Sequence, residues 1–172
     1  MRLTILAGIL ALTTTVMADD VTKVYIDIDS IESSTDLVAV DGIRSAGQPD
    51  AKAFSLAAEA GYAAVIDLRG KQESRGLDEA AVLQDLGLDY VELPLTSPED
   101  ISLENAAKLD EILSGYSEPV LIHCGSANRG GALLALRKSL HGASDDDALQ
   151  YGRDAGLTGL EPIVRARLAE KE

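Results

Sequence analysis

One stretch of ten residues, Val120 to Arg129, constrains the fold more than any other part of the chain. Three apolar residues lead directly into His123 and Cys124, a loop of small residues follows, and a helical pattern runs over residues 130–140. A buried strand that ends in a tight loop at a helix N-terminus makes an anion site, because the loop N–H groups and the helix dipole both favour negative charge. The stretch therefore predicts a strand, an anion-binding loop and a helix in direct succession.

Cys124 and Arg129 are the residues of this loop that can carry chemistry. A positive field at the start of the loop would lower the pKa of the Cys124 thiol, and the thiolate is the nucleophilic form. The planar guanidinium of Arg129 suits two oxygens of an oxyanion. Cys124 is the one cysteine in the chain, so an intramolecular disulfide is excluded and the thiol either pairs between chains or is kept as a working group. Its sequence neighbours favour a working thiol over an inert core cysteine.

The remainder of the chain alternates strand patterns with helix patterns. Strands are predicted at 21–29, 37–40, 43–45, 62–68, 90–93 and 120–123. Helices are predicted at 50–60, 78–86, 102–113 and 130–140, with two more beginning at 144 and 161. A hairpin turn at Asp41-Gly42 joins the second and third strands.

This order predicts an α/β fold, a compact parallel sheet of about four or five strands flanked by helices. Ligands of such sheets bind at the carboxyl ends of the strands. Three loops would meet at that edge, namely 69–76, 96–101 and 124–129. We therefore expect the active site there.

The other charged residues near this edge have simpler interpretations. Arg69, Lys71 and Arg75 fit a solvated surface loop better than a positive rim of the site. Asp67 ends a strand and fits a backbone-capping role, and His141 fits a cation at a helix C-terminus. The two histidines lack metal-ligand spacing, so we predict no metal and no cofactor.

Residues 1–18 predict a secretory signal peptide, which leaves residues 19–172 as a single domain. Arg2 precedes a short apolar run that ends in Val16-Met17-Ala18, small and β-branched residues suited to a cleavage site. The run is short for a membrane anchor, which needs about 20 apolar residues. We therefore expect a mature protein that is periplasmic or secreted and has no membrane span.

The chain is strongly acidic, with a formal net charge of −14 from 29 acidic and 15 basic residues. Such a surface argues against binding to nucleic acid or to anionic lipid. A negatively charged substrate would be repelled everywhere except at a local positive site.

Four segments together resemble a known family. They are Ser45 to Pro49 (Ser-Ala-Gly-Gln-Pro), Val65 to Arg69 (Val-Ile-Asp-Leu-Arg), Leu93-Pro94, and the His-Cys loop that ends at Arg129. The set resembles the beta-lactamase-hydrolase-like phosphatase group, a compact branch of the dual-specificity and protein tyrosine phosphatases, over roughly residues 36–157. The resemblance implies a cysteine-dependent phosphatase of phosphotyrosine-like phosphomonoesters, carried by a phosphorylated small molecule or a phosphoprotein.

The resemblance also implies roles for the residues of the loop. Cys124 would attack phosphorus and form a thiophosphate intermediate. Arg129 and the loop amides would hold the equatorial oxygens of the transferred group, and His123 would orient the loop from behind. The substrate-binding residues implied in this way are His123, Gly125, Ser126, Ala127 and Asn128.

An acid must protonate the leaving oxygen, and Asp100 is the candidate that the resemblance favours, ahead of Glu99. The alternative for both is ordinary helix N-terminal chemistry, because Pro98-Glu99-Asp100 precedes a predicted helix.

Three positions depart from the pattern of tyrosine phosphatases. Four residues rather than five separate Cys124 from Arg129, Ala127 stands where glycine is common, and Gly130 replaces the serine or threonine that helps to release the thiolate. If residue 127 needs a positive φ, alanine there costs about 1 kcal/mol.

These departures leave two other functions open. A rhodanese-like sulfurtransferase also places its cysteine at the start of a short loop and would form a persulfide on Cys124. A catalytically impaired module that only binds oxyanions is the second alternative.

Overall fold

The computed structural model describes residues 38–40 and 43–170 of the 172-residue chain. The predicted signal peptide and the strand predicted at 21–29 lie outside these residues. Within them, the strands are β1 Val38–Val40, β2 Ile43–Ala46, β3 Ala64–Asp67, β4 Asp89–Glu92 and β5 Val120–His123. The helices are α1 Ala51–Glu59, α2 Glu79–Leu86, α3 Leu103–Ser114, α4 Asn128–Leu140, α5 Asp145–Asp154 and α6 Glu161–Ala169, with a short 3-10 turn at Pro98–Asp100.

The five strands form one sheet in the order β1-β2-β5-β3-β4. β1 and β2 pair antiparallel with Val40 opposite Ile43, as the predicted hairpin requires. The other pairs are parallel, and Val120 of β5 lies between Ile43 of β2 and Ala64 of β3. The predicted parallel α/β fold is confirmed, and the strand that leads to Cys124 is its central strand.

Helices cover both faces of the sheet. α1 and α2 pack on one face, where Phe54 and Leu121 are buried together. The remaining four helices pack on the other face, where Ile122 of β5 meets Leu133 of α4. Successive residues of β5 therefore point to opposite faces, as the period of a strand dictates. Within the described ranges, no helix is long and apolar enough to cross a membrane.

Most helices begin where their capping residues predict. The side chains of four residues accept a first-turn backbone N–H, namely Asp50, Asp78, Ser102 and Ser144. Helix α4 differs, because its N-cap is Ala127, whose methyl group accepts no hydrogen bond. It starts at Asn128, two residues before the predicted start, so Arg129 lies in its first turn. The positive end of α4 thus faces the loop without a capping oxygen.

The close approach of α4 to the segment after α5 predicts a strong effect of Gly131→Ala. An added Cβ at Gly131 would overlap the backbone nitrogen of Leu157 and lie 2.7 Å from the carbonyl oxygen of Gly152. Because backbone atoms cannot yield, we expect the free energy of unfolding in urea to fall by about 3 kcal/mol. The control is Gly159→Ala, where the nearest atom is 3.8 Å away. Equal unfolding midpoints for the two variants would contradict this packing.

Candidate active site

The loop after β5 folds over the carboxyl edge of the sheet. The backbone N–H of Cys124 donates to the carbonyl of Ala46 at 3.2 Å, and Gly47 forms a β-bridge with Ser126. The Cys124 side chain is buried, and its sulfur accepts the N–H of Ser126 at 3.5 Å. The Ser-Ala-Gly-Gln-Pro segment noted in the sequence therefore supports the cysteine loop directly.

The sequence left open whether residue 127 has a positive φ. Ala127 does have a left-handed backbone conformation. Its φ is 61° and its ψ is −15°, the one positive φ among the described non-glycine residues. This conformation costs an L-residue roughly 1–2 kcal/mol. Gly156 packs against Ala127 so closely that a Cβ on Gly156 would lie 2.6 Å from the Ala127 methyl. The loop is thus held in a strained shape by the connection between α5 and α6.

Arg129 is held by both of the other loops at this edge. Its Nη1 and Nη2 donate to Oε1 and Oε2 of Glu73 at 2.6 and 2.7 Å, and Nη1 also donates to the carbonyl of Leu95 at 3.0 Å. Hydrogen bonds from Arg129 lower the pKa of Glu73 to about 2. The pKa of Arg129 is raised, first by Glu73 and also by the nearby Cys124 sulfur. A charged guanidinium is therefore fixed beside the thiol.

Glu73 is the site residue that the sequence analysis missed. It also accepts the backbone N–H of Gly70 at 2.8 Å and the Nε of Arg69 at 3.3 Å, so its own loop holds it in place. Glu73 lies 56 positions before Arg129. No local sequence pattern links residues so far apart. Within its own loop, Glu73 is one of the polar residues that predict a solvated surface segment.

Asn128 connects the loop to the segment between α5 and α6. Its Oδ1 accepts the backbone N–H groups of Thr158 at 2.8 Å and Leu160 at 3.3 Å. Its amide oxygen is therefore engaged in positioning the loop. Ser126, Asn128 and Arg129 line a cleft of about 300 Å³ that opens beside the loop. The opposite wall consists of Leu95, Thr96, Ser97, Pro98, Ile101 and Leu160.

His123 lies on the face of the sheet that packs against α1, and its grouping with the substrate-binding residues stays a prediction. Its ring is fully buried and makes an edge contact with Phe54, at 6.1 Å between ring centroids. Its Nε2 lies 2.6 Å from Oε1 of Glu79 and 3.7 Å from Oδ1 of Asp67. Adjacent residues of an extended chain point to opposite faces. His123 therefore supports the sheet behind the loop, and Cys124 lies on the face that carries Ile122.

The carboxylates around His123 belong to a buried ion network. Arg75 Nη2 lies 2.5 Å from Oδ2 of Asp67, and the hydroxyl of Tyr90 donates to the same oxygen at 3.0 Å. Burial, followed by the charge of Asp67, raises the pKa of Tyr90. Asp67 Oδ1 also accepts the N–H of Arg69 at 2.8 Å, so the predicted capping role of Asp67 is present within a larger network.

The interpretation of Arg69 and Arg75 as solvated surface residues is wrong. Arg69 is buried and bonds Gln48 and Glu73, while Arg75 pairs with Asp67. Both arginine side chains are largely shielded from solvent, because they neutralise carboxylates that are themselves buried or held at the site. Lys71 is exposed, as predicted.

One group in this network has the spacing of a metal site. Asp67, Glu79 and His123 each offer a ligand atom, and these atoms lie within 4.8 Å of one another. The guanidinium of Arg75 lies 2.5 Å from Asp67 and 3.9 Å from Glu79, where it would repel a cation. We therefore interpret the group as a buried ion network. Sequence spacing could not reveal it, because the three residues come from β3, α2 and β5.

Asp100 is placed as a capping residue of the loop that faces the cleft. Its Oδ2 accepts the backbone N–H groups of Thr96 at 2.6 Å and Ser97 at 2.8 Å. These hydrogen bonds lower the pKa of Asp100, the bond from Thr96 most. A general acid must be protonated before it acts, and such a carboxylate is ionised at neutral pH. The acid role of Asp100 stays a prediction that these contacts do not favour.

Solved structures share this fold. A candidate phosphatase of Neisseria meningitidis matches with a TM-score of 0.63 and 21% identity, over 76% of this chain and 93% of that one. A candidate phosphatase of Shewanella putrefaciens matches with a TM-score of 0.57 and 22% identity, over 78% and 91%. Tk-PTP in its active form matches with a TM-score of 0.59 and 20% identity, over 77% and 96%. No protein-family model and no curated protein sequence matches the chain.

These similarities establish the fold, which is of the dual-specificity and protein tyrosine phosphatase type. The narrower assignment to the beta-lactamase-hydrolase-like group stays a prediction.

The Arg129–Glu73 pair predicts a pH-dependent effect of Glu73→Gln. The pKa of Glu73 falls from 4.5 to about 2 on folding, so the pair stabilises the fold above pH 4.5 and loses this effect as the pH falls towards 2. We expect Glu73→Gln to lower the free energy of unfolding by about 1 kcal/mol at pH 7, allowing for partial exposure. The difference from wild type should shrink between pH 4.5 and 2. A difference that stays constant over this range would contradict the pairing. Glu104→Gln, which removes an exposed pair with Lys108, is the control.

The position of Asp100 predicts how Asp100→Asn affects a series of aryl phosphates. If Asp100 only caps its turn, the variant should lower kcat/KM by the same small factor, less than about 10-fold, whatever the pKa of the leaving phenol. If Asp100 is the acid, the loss should grow as the leaving phenol becomes more basic. Rates for four or more phenols of graded pKa decide between the two roles.

Proposed function

We propose that this chain is a cysteine-dependent phosphatase that hydrolyses phosphomonoesters through a thiophosphate on Cys124. The observation that carries the proposal is the joint placement of Cys124 and Arg129 at the uncapped N-terminus of α4. A cysteine beside a fixed guanidinium and a helix N-terminus is in position to act as a nucleophile on an anionic group. The same groups suit the oxygens of a phosphoryl group. The shared fold supports the same activity.

The reaction proceeds in two displacements. The sulfur of Cys124 attacks phosphorus, a P–S bond forms, and the P–O bond to the substrate breaks with its electron pair on the leaving oxygen. That oxygen then takes a proton from solvent. A water oxygen next attacks phosphorus and releases a proton to solvent, the P–S bond breaks with its electron pair on sulfur, and the thiolate returns as phosphate departs. The guanidinium of Arg129 and the loop amides hold the equatorial oxygens through both steps.

The cleft favours a single phosphoryl group on an apolar, aromatic leaving group. Leu95, Pro98, Ile101 and Leu160 offer an apolar wall beside Arg129. Glu73 already occupies two donors of Arg129, and the overall charge of −14 disfavours ligands with several phosphates. A phenolic oxygen also leaves without a strong acid, which suits the engaged carboxylate of Asp100. The proposed substrate class is therefore phosphotyrosine-like.

The site of action is a separate proposal. The signal-like sequence at residues 1–18 is the support for export, and we propose that the mature chain acts in the periplasm or outside the cell.

The activity is tested with an aryl phosphate and reduced protein from acidic to neutral pH. We expect phosphate release that falls by at least about 10³-fold in Cys124→Ser, because a serine hydroxyl is not ionised near neutral pH. Arg129→Lys should fall by roughly 10²-fold, because lysine cannot form the planar contact. Lys71→Ala, in an exposed residue of the neighbouring loop, should retain activity.

Either of two results would contradict this proposal and support one of the alternative functions. Incubation with thiosulfate that yields a persulfide on Cys124, without phosphate release in the first assay, would indicate a sulfurtransferase. Tight phosphate binding without turnover, retained in Cys124→Ser, would indicate an oxyanion-binding module.

A further inference from the structure

Gln48 joins two parts of the candidate active site. Gly47, the residue before it, forms a β-bridge with Ser126 of the cysteine loop. The side-chain Oε1 of Gln48 accepts a hydrogen bond from Nη1 of Arg69, and its Nε2 donates to Oε2 of Glu79 at 3.0 Å. The oxygen thus faces a cation and the nitrogen faces an anion, so the two partners fix the orientation of the amide. Gln48 therefore links the support of the cysteine loop to the buried ion network.

Arg69 is held at all three of its guanidinium nitrogens. Nη1 donates to Gln48, Nη2 donates to the carbonyl of Ser74 at 2.6 Å, and Nε donates to Oε2 of Glu73 at 3.3 Å. The same Oε2 of Glu73 accepts Nη2 of Arg129 at 2.7 Å. Arg69 is buried, so its orientation depends on these partners and little on water. The route from Gln48 to Arg129 therefore passes through one arginine and one carboxylate oxygen.

We propose that Gln48 is a positioning residue for the binding of an oxyanion by Arg129. The amide of Gln48 fixes Arg69, Arg69 fixes the carboxylate of Glu73, and that carboxylate fixes the plane of the Arg129 guanidinium. A planar guanidinium binds an oxyanion best in one orientation, so fixing this plane in advance reduces the side-chain freedom that is lost on binding. The proposal rests on the phosphatase function proposed above, in which the oxyanion is the phosphoryl group of the substrate.

The surroundings of Gln48 require a neutral side chain that both donates and accepts. Glu79 is buried, and its Oε1 is already engaged with Nε2 of His123 at 2.6 Å. Gln48→Glu would still accept from Arg69, but it would place a second carboxylate against Oε2 of Glu79 with no hydrogen between them. Arg75 could not replace the lost donor, because its Nε lies 3.9 Å from that oxygen.

A reciprocal exchange of the two side chains should repair this contact. In Gln48→Glu/Glu79→Gln the total charge is unchanged, and the amide at position 79 donates to the carboxylate at position 48. The carboxylate at position 48 still accepts from Arg69. The exchange therefore restores the hold on Arg69 with the direction of one hydrogen bond reversed.

The first test measures the affinity for inorganic phosphate by isothermal titration calorimetry. Every variant is built in Cys124→Ser, so that no covalent step intervenes. Gln48→Glu should weaken phosphate binding about 10-fold, the effect of losing one hydrogen bond to a charged group. Adding Glu79→Gln should restore most of the affinity. The matched control is Gln72→Glu, which adds the same charge at an exposed position of the loop that holds Arg129 and should leave the affinity nearly unchanged.

A double-mutant cycle with Arg129→Lys separates positioning from general stability. If Gln48 acts through the guanidinium of Arg129, Gln48→Glu should change the phosphate affinity of Arg129→Lys by less than about twofold. A loss of stability alone would weaken binding by the same factor in both backgrounds. If Gln48→Glu does not fold, Gln48→Met takes its place in the cycle, because it is neutral, of similar length, and removes the same hydrogen bonds.

Three results would overturn the proposal. They are equal phosphate affinities of Gln48→Glu and its parent, an exchange variant that melts like the parent but still binds weakly, and equal losses in the two Arg129 backgrounds. Turnover of an aryl phosphate by protein that retains Cys124 tests the phosphatase function separately, and kcat/KM should fall in Gln48→Glu and recover in the exchange variant. The expected affinities without any turnover in wild type would refute the phosphatase function and support the positioning role of Gln48.

Discussion

The contact between Arg129 and Glu73 joins the three loops that the sheet brings to its carboxyl edge. Arg129 comes from the loop and helix after β5, Glu73 from the loop after β3, and the carbonyl of Leu95 from the segment after β4. A guanidinium has five donors in a rigid plane, so one side chain can satisfy both loops and still face the thiol. The shape of the candidate active site depends on this contact.

The same contact begins a chain of ion pairs and hydrogen bonds that leads to the other face of the sheet. Glu73 bonds Arg69, Arg69 bonds Gln48, and Gln48 donates to Glu79, which meets His123. Buried charges are costly unless each has a partner, so such a network has few alternative arrangements. It fixes the strand ends from which the loops depart. In an acidic protein it also holds the positive charge of Arg129 beside the loop that we propose as the phosphate site.

Sequence patterns predicted those features of the fold and the site that depend on residues close together in the chain. Strand and helix periods, capping residues and the run from β5 into α4 gave the order of elements and the loop with Cys124 and Arg129. Partners distant in sequence were missed, because Glu73 becomes a site residue only when β3 and β5 pair. Arg69 and Arg75 look like surface charges until the carboxylates beside them are known to be buried. The pattern of the family, in which glycine is common at position 127, indicates that a positive φ is a possibility for Ala127, but it does not reveal that Gly156 packs against it.

The central claim is that the sulfur of Cys124 forms a covalent bond to phosphorus. It is tested most directly by acid quenching of the enzyme during turnover of an aryl phosphate, followed by mass spectrometry of the intact chain and its peptides. The account predicts one phosphoryl group on the peptide that contains Cys124, and none in Cys124→Ser. Steady turnover without this adduct, under conditions in which phosphocysteine survives, or a phosphoryl group on another residue would contradict it.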